Sequence, residues 1–155
     1  MDPDTRAVTT NRKAFHQYHI LDSFEAGLVL TGTEVKSLRE GRVNLRDAHV
    51  TLREGEAFLV GMHIGPYSHT GFEGHDPYRD RKVLLHRREI RKLAREVTTK
   101  GRTLVPLKVY FKDGWAKVEV ALAKGKRQYE KKRALAERDR QRILERDLKN
   151  RKQAK

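Results

Sequence analysis

Apolar and polar residues alternate along most of the first 123 positions, with the period of two that is typical of half-buried strands. Turn-forming residues interrupt the alternation and predict three hairpins, around Glu25-Ala26-Gly27, Arg53-Glu54-Gly55-Glu56 and Asp113-Gly114. The third is the clearest, because Asp and Gly both tolerate the positive φ that a tight hairpin turn needs. The pattern therefore predicts a mainly β protein.

Two segments change from the strand period to a helical one. The segment from Thr33 to Arg39 lies between Gly32 and Gly41, and Thr33 is its expected N-cap. A second helix is predicted after Arg87, where apolar residues recur at i, i+3, i+4 and i+7 from Ile90 onward. About six short strands with small helices favour a closed or nearly closed barrel, since closure leaves no unpaired sheet edge.

The charge is strongly positive and unevenly placed. Lys and Arg number 35 against 21 Asp and Glu, a formal net charge of +14 that favours a polyanionic partner or an anionic membrane surface. Lys124 to Lys155 holds 14 of these bases and 5 acids, with only 4 Leu, Ile, Val or Phe in 32 residues. Such a segment cannot order itself by burial. It is either a disordered basic arm or, as we favour, an arm that becomes helical when phosphates neutralise it.

Several protein classes are excluded by what the chain lacks. Without cysteine it has no disulfide scaffold, zinc ribbon or thiol nucleophile. Its apolar runs are too short to span a bilayer and its acidic start lacks the apolar core of a signal peptide, so we expect a cytoplasmic protein. Because it contains neither a glycine-rich phosphate loop nor a nucleophile elbow, we do not expect an enzyme.

Imidazole and carboxylate groups occur in and beside the segment from Gly65 to Arg81, and they raise the alternative of a metal site or a His/Asp nuclease. Their spacing fits neither a helical i, i+4 pair nor a metal-binding loop. A solvated, mobile loop is therefore the favoured interpretation of this segment. The candidate ligands are His63, His69, His75, Asp76 and Asp80.

Basic residues surround the second predicted helix, from Arg87 to Arg95, and the simplest interpretation is a solvated face. Aromatic side chains occur on the predicted strands, and aromatics between bases on a barrel surface can stack on nucleobases. Most of these aromatics could equally belong to the core, so both interpretations stay open. They are His16, Tyr18, Tyr110 and Trp115.

Several longer strings follow one another in a fixed order between about Asn11 and Lys132. They are Asn11–Ala14, Phe24–Gly27, Gly32–Arg39, Gly41–Asn44, Arg81–Ile90, Leu104–Lys108 and Ala121–Arg127. Together they resemble the small protein B family, the SsrA-binding proteins. Long motifs in one order are a specific signal.

The resemblance implies an oligonucleotide-binding (OB) type closed β-barrel with two or three small helices and a basic C-terminal tail. It implies a carrier that binds the tRNA-like domain of transfer-messenger RNA and delivers it to stalled ribosomes for trans-translation. The positions implied in RNA binding are Glu34, Lys36, Arg39, Asn44, Leu84, His86 and Lys124. Those implied in the ribosomal decoding centre and messenger channel are Gly125, Lys126, Arg127, Tyr129, Glu130, Lys131 and Lys132.

The implied organisation has three parts: a flexible N-terminus over residues 1–10, the RNA-binding barrel over 11–123, and the tail over 124–155, disordered when free and helical on the ribosome. The implied partners are transfer-messenger RNA, the decoding centre of the small ribosomal subunit and, indirectly through the aminoacylated RNA, elongation factor Tu. We expect a monomer with no cofactor, metal or membrane. The alternative function is a general binding module for structured or single-stranded RNA with a basic arm.

Overall fold

The computed structural model describes residues 5–67, 74–126 and 137–146 of the 155-residue chain. The chain divides into two compact units, Met1–Gly125, which we call the barrel, and Lys126–Lys155, which we call the tail. The barrel begins with β1 (Thr5–Thr10), α1 (Arg12–Gln17), β2 (Tyr18–Leu28), α2 (Gly32–Arg39), β3 (Val43–Asn44) and β4 (His49–Arg53). It continues with β5 (Glu56–Val60), β6 (His63–Ile64), β7 (Arg81–Leu84), α3 (Arg87–Glu96), β8 (Arg102–Lys112) and β9 (Trp115–Gly125).

The main sheet closes into a ring. Antiparallel neighbours follow the order β8, β4, β5, β7, β2 and β9, and β9 pairs back onto β8. Strand β1 adds to β8 outside the ring, and β3 pairs with β6 in a separate two-stranded sheet. The prediction of a mainly β barrel with a few small helices is confirmed.

Alternation along β9 shows how the interior is filled. Val118, Val120 and Leu122 belong to the main hydrophobic core inside the ring. Ala121 and Ala123 belong to a second, smaller cluster on the opposite face of the strand. Because both faces are buried over this stretch, the sequence here is almost continuously apolar.

Helix α1 covers that second cluster from outside. Its Ala14 packs in the cluster with Leu107 of β8. Asn11 fixes the helix there, because its Nδ2 donates to the carbonyl of Pro106 at 2.9 Å and its Oδ1 accepts from the Ala14 N–H at 3.3 Å. The same asparagine thus caps the helix and ties it to the barrel wall.

Two of the three predicted hairpins are confirmed and one is wrong. Strands β4 and β5 reverse at Glu54-Gly55, and β8 and β9 reverse at Asp113-Gly114; both residues of each turn have positive φ. The triplet Glu25-Ala26-Gly27 is not a turn but part of the eleven-residue strand β2. Pairing with β9 along most of its length, and with β7 at its end, keeps β2 extended through the triplet.

Three boundaries also differ from the prediction. Thr5–Thr10, predicted to be part of the flexible N-terminus, forms strand β1. The sequence does not predict this strand, because its partner β8 lies about a hundred positions later and leaves no local signal. The N-cap of α2 is Thr31 and not Thr33: Thr31 Oγ1 accepts from the Glu34 N–H at 3.4 Å. Strand β9 continues to Gly125, so the barrel ends two residues later than expected.

The segment before β7 is anchored rather than mobile wherever the structure describes it. His75 lies 3.0 Å from Thr33 Oγ1 through Nδ1 and 2.9 Å from the Ile64 carbonyl through Nε2, and the Ile64 N–H donates to the Pro77 carbonyl. The mobile-loop prediction is therefore wrong for residues 74–81, whereas residues 68–73, which include His69, lie outside the described ranges. Within those ranges no group of three His, Asp or Glu side chains could hold a metal ion.

Beyond Lys126, the described part of the tail is a single helix over residues 137–146, whose side chains are all exposed. An ion pair joins Glu137 to Arg140 at 3.6 Å. Ile143 and Leu144 are the large apolar side chains exposed on this helix. No helix in the described ranges combines the length and apolar content needed to cross a membrane.

Candidate nucleic-acid interface

An apolar groove of about 440 Å³ opens on the barrel surface between the end of β2 and the β8–β9 turn. Two large apolar side chains at this groove are mostly in solvent, Trp115 at 73% exposure and Leu84 at 54%. Exposed apolar side chains gathered at one place mark a binding surface. The groove is also lined by Leu28, Val29, Leu30, Val35, Phe111 and Lys117.

The exposure of Trp115 follows from the turn that precedes it. Asp113 and Gly114 reverse the chain, and Trp115 begins β9 directly opposite Lys112 of β8. Trp115 is the only tryptophan of the chain. Its indole offers a planar face on which a nucleobase can stack.

Leu84 is seated on a glycine of the neighbouring strand. Gly27 of β2 and Leu84 of β7 are direct partners in the antiparallel ladder. A Cβ added at Gly27 would lie 3.4 Å from both Cβ and Cδ1 of Leu84. The absence of a side chain at Gly27 therefore lets Leu84 lie close over the strand while half of it remains exposed.

Charged groups border the groove on β2 and β9. Lys117, which lines the groove, is the register partner of Gly27, and Glu25 precedes Gly27 by two residues on the same face of β2. The Tyr110 hydroxyl donates to Glu25 Oε2 at 2.6 Å, and Lys112 Nζ lies 3.5 Å from Oε1. The Tyr110 hydrogen bond, assisted by Lys112, lowers the pKa of Glu25. An ionised carboxylate and an ammonium group thus stand beside the apolar surface.

Glu34 was predicted to contact RNA, but the structure places it inside the protein with 0% exposure. Arg81 Nε donates to Glu34 Oε2 at 2.5 Å, Arg79 Nη2 donates to Oε1 at 2.5 Å, and the Thr31 N–H donates to Oε1 at 2.9 Å. A carboxylate so enclosed has no surface for RNA. Direct contact through Glu34 is therefore incompatible with this structure.

Ionisation of Glu34 is maintained by its partners. Burial would raise the pKa of Glu34, but hydrogen bonds from Arg79, Thr31 and Arg81 lower it to about 2. Burial lowers the pKa of Arg81, and the hydrogen bond to Glu34 opposes that effect. The carboxylate is therefore charged at neutral pH and faces two guanidinium groups.

The other two guanidinium nitrogens of Arg81 also donate hydrogen bonds. Nη1 donates to the carbonyls of Met62 at 2.7 Å and Pro77 at 3.1 Å, and Nη2 donates to that of Asp76 at 3.2 Å. All three guanidinium nitrogens of Arg81 therefore donate, and a buried ion pair held by four hydrogen bonds has a fixed geometry. Arg81 begins β7 and Leu84 ends it, so the pair holds the strand that carries Leu84. We call the cluster of Glu34, Arg79 and Arg81, which fixes the start of β7, the carboxylate lock.

Other predicted RNA-binding residues lie at or near the groove. The Arg39 guanidinium stacks over Phe111 at 5.9 Å from the ring centre, and Phe111 lines the groove. His86 is exposed two residues after Leu84, and its backbone N–H donates to the Glu89 carboxylate at 2.9 Å. The structure therefore brings Arg39, Leu84 and His86 together at one part of the surface.

The remaining three predicted RNA-binding residues do not line the groove. Lys36 is exposed on α2, with Nζ 5.4 Å from the centre of the Tyr67 ring. Asn44 is exposed on β3, where its Oδ1 accepts from the Arg46 N–H at 2.8 Å. Lys124 is nine residues beyond Trp115 on β9, which at about 3.3 Å per residue is roughly 30 Å along the strand.

The tail positions predicted for the ribosome are described only at their start. Gly125 ends β9, opposite Tyr18, and its N–H donates to the Gly101 carbonyl at 3.0 Å. Lys126 is half-buried. The others lie outside the described residues, namely Arg127, Tyr129, Glu130, Lys131 and Lys132.

Sequence reasoning missed Glu25, Gly27 and Lys117 as members of the interface. Glu25 and Gly27 stand in the string Phe24–Gly27 that contributed to the family resemblance, but the triplet was assigned to a turn. Lys117 carries no local signal beyond its place on an alternating strand. Their common location becomes visible only when β2, β7 and β9 are paired.

Comparison with known proteins identifies the family. Residues 8–150 match the family model for SmpB protein. An SsrA-binding protein of Sulfurihydrogenibium sp. is 56% identical over 144 residues, 93% of this chain and 95% of that protein. One of Enterococcus faecalis is 53% identical over 145 residues, 94% of each. A solved structure described as "tmRNA-SmpB: a journey to the center of the bacterial ribosome" is 46% identical, with a TM-score of 0.67 over 82% of this chain and 93% of that one. The chain therefore belongs to the SmpB protein family.

Proposed function

We propose that this chain binds the tRNA-like domain of transfer-messenger RNA and delivers it to stalled ribosomes for trans-translation. The observation that carries the proposal is the groove that exposes Leu84 and Trp115 beside Lys117, in a chain of this family. Relatives at more than half identity are named for binding SsrA, and the solved structure is named for transfer-messenger RNA and the ribosome. The protein is a carrier, not a catalyst, and acts in the cytoplasm.

Structured RNA is recognised through shape, phosphates, 2′-hydroxyls and stacking on unpaired loop bases. We assign stacking to the Trp115 indole and apolar contact with a splayed base or its sugar to Leu84. Lys117, Arg39 and His86 supply positive or hydrogen-bonding groups at the rim, and Glu25 accepts hydrogen bonds from base or sugar donors. The carboxylate lock keeps β7 in place while RNA binds. Lys36, Asn44 and Lys124 stay predicted contacts outside this group.

We assign the second half of the function to the tail. Most of the net charge lies beyond the barrel, where a chain poor in apolar residues suits a tunnel lined by phosphates. In this proposal Lys126, Arg127, Lys131 and Lys132 make the first contacts in the decoding centre, with Glu130 among them, and Tyr129 stacks on a base. Elongation factor Tu is an indirect partner, through the aminoacylated RNA.

The RNA-binding half is tested by competition in a filter-binding assay. Full-length protein is bound to labelled transfer-messenger RNA and challenged with unlabelled transfer-messenger RNA or bulk transfer RNA. We expect the first competitor to displace the label at much lower concentration than the second. Equal competition would favour the alternative, a general module for structured RNA.

The tail is tested by truncation after Gly125, the last residue of β9. Because the core lies within the barrel, the truncated protein should fold and retain most RNA binding in a gel shift. Tagging of a stalled nascent chain by added transfer-messenger RNA should be lost. Tagging at the full-length rate would show that the tail is not needed for delivery.

A further inference from the structure

Helix α3 presents five exposed cations on one side, Arg87, Arg88, Arg91, Lys92 and Arg95. At 3.6 residues per turn they fall within an arc of about 140°, and the buried Leu93 lies about 170° from the centre of that arc. The arc is therefore opposite the face that packs on the core. From Arg87 to Arg95 it extends about 12 Å along the helix.

Most of these cations lack the acidic partners that others on the barrel have. Lys92 Nζ lies 3.3 Å from Asp22 Oδ2, but in the described ranges no carboxylate lies within 4 Å of the Arg87, Arg88, Arg91 or Arg95 guanidinium. Glu54 and Glu56 border a depression beside Arg87 and Arg91 without reaching that distance. Elsewhere on the barrel, carboxylate partners are present for Lys13, Arg53, Lys82, Arg102, Lys108 and Lys112.

The arrangement also works against the helix itself. Three like-charge pairs stand at i, i+4 spacing, Arg87 with Arg91, Arg88 with Lys92, and Arg91 with Arg95, and each is unfavourable. Arg87 and Arg88 lie in the first turn, where the helix dipole is positive and disfavours cations. Anionic groups outside the chain would relieve both repulsions. These unpaired and mutually repelling cations therefore favour an anionic partner over the interpretation that the helix only presents a solvated face.

We propose that Arg87, Arg88, Arg91 and Arg95, which we call the α3 stripe, bind the phosphate backbone of the same transfer-messenger RNA whose bases occupy the groove. This rests on the proposed function. Arg87 comes three residues after Leu84, so the stripe begins close in the chain to a side chain that lines the groove. A duplex strand carries roughly one phosphate per 3 Å of axis, so the 12 Å of stripe matches about four phosphates. The groove then reads loop bases, and the stripe holds the backbone of an adjoining stem.

The test is the salt dependence of binding by the full-length triple variant Arg88→Gln, Arg91→Gln and Arg95→Gln. Glutamine is a good helix former, and loss of the like charges should leave the melting temperature unchanged or raised. A matched control removes three charges from the tail helix, at exposed arginines with no carboxylate within 4 Å in the described ranges: Arg138→Gln, Arg142→Gln and Arg146→Gln. The Kd for the tRNA-like domain of transfer-messenger RNA is measured between about 50 and 200 mM salt.

We expect the slope of log K against log salt to become shallower by about 2 to 3 in the stripe variant, at roughly 0.7–0.9 per phosphate contact, and to stay unchanged in the control. An unchanged slope in the stripe variant overturns the proposal. Loss of ribosome sedimentation with intact binding of this RNA also overturns it, in favour of ribosomal RNA. The proposed function is tested separately by the unmodified protein: it fails if that protein does not prefer transfer-messenger RNA to transfer RNA. In that case transfer-messenger RNA is also excluded as the partner of the α3 stripe.

Discussion

The carboxylate lock and the apolar groove invert the usual distribution of residue types. Glu34 and Arg81, both charged, have 0% exposure, whereas the Trp115 indole is 73% exposed. Charged side chains are rarely buried without partners, and large aromatic side chains are rarely left in solvent without a use. The two regions lie at opposite ends of the same short strand, β7, through Arg81 and Leu84. The comparison separates residues that hold β7 from inside the barrel from residues that form the exposed groove.

The difference matters for interpreting motifs. Glu34 and Leu84 both stand in strings that resemble the family, and both were predicted to contact RNA. Only Leu84 has surface to offer. A charged residue in a basic RNA-binding protein can thus act from the inside, by fixing a strand, and never approach a phosphate.

The largest effect is expected from breaking the lock. Glu34→Ala leaves Arg81 buried without its carboxylate, and loss of one partner of a buried pair costs about 3–5 kcal/mol of unfolding free energy. Urea denaturation measures it. The control is Glu56→Ala, which removes the exposed partner of Lys82 and should cost about 0–1 kcal/mol. Similar losses in the two variants would show that the lock does not stabilise the barrel.

The lock should also give the barrel a characteristic acid sensitivity. The pKa of Glu34 falls from its ordinary 4.5 to about 2 on folding, so the unfolded chain binds the proton more tightly. Its contribution is complete above pH 4.5 and is lost as pH falls towards 2, about 3 kcal/mol in all. The measurement is the difference in unfolding free energy between wild type and Glu34→Gln across this range. Parallel pH profiles for the two proteins would contradict the assignment.

Removing the groove side chains should weaken RNA binding without unfolding the barrel. Trp115→Ala loses a stacking surface worth about 1–3 kcal/mol, a fall in affinity of about 5- to 150-fold. Because the indole is exposed, the melting temperature should hardly change. Phe15→Ala removes an exposed aromatic from α1, away from the groove, and should bind RNA as wild type does. Equal losses of RNA affinity in the two variants would show that RNA does not bind specifically at the groove.

The smallest effect is expected at Gly27, which seats Leu84. An alanine methyl there lies at ordinary contact distance, 3.4 Å from Leu84, so Gly27→Ala should keep near-wild-type affinity. The extra methyls of Gly27→Val suit a strand but displace Leu84, so we expect a several-fold loss of affinity, about 1 kcal/mol. Isothermal titration with the tRNA-like domain compares the pair. Equal affinity in the two variants would show that the position of Leu84 is unimportant.

Local turn chemistry explains which parts of the fold were predictable. Asp113-Gly114 and Glu54-Gly55 carry their own hairpin signal, so β4, β5, β8 and β9 were predicted from short stretches of sequence. Strand β1 was not, because its partner β8 is remote in sequence. The sequence predicts a turn at Gly27, because a glycine that makes room for a neighbouring side chain has the same local pattern as one that reverses the chain.

The candidate site was predictable only in part, for a similar reason. Leu84 came from the family resemblance, and Trp115 from its aromatic ring on an alternating strand. The burial of Glu34 depends on its ion pair with Arg81, which is 47 positions away, and no local sequence pattern predicts that pair. Long-range partners decide whether a charged residue is a contact or a support.

The central claim, that RNA binds at the groove, is tested most directly by the fluorescence of the unmodified protein. Trp115 is the sole tryptophan, so its emission reports on the groove alone. Titration with the tRNA-like domain of transfer-messenger RNA should quench or shift that emission, saturating at one RNA per protein, because a base stacks on the exposed indole. Unchanged emission at RNA concentrations that saturate binding in a gel shift would contradict the claim.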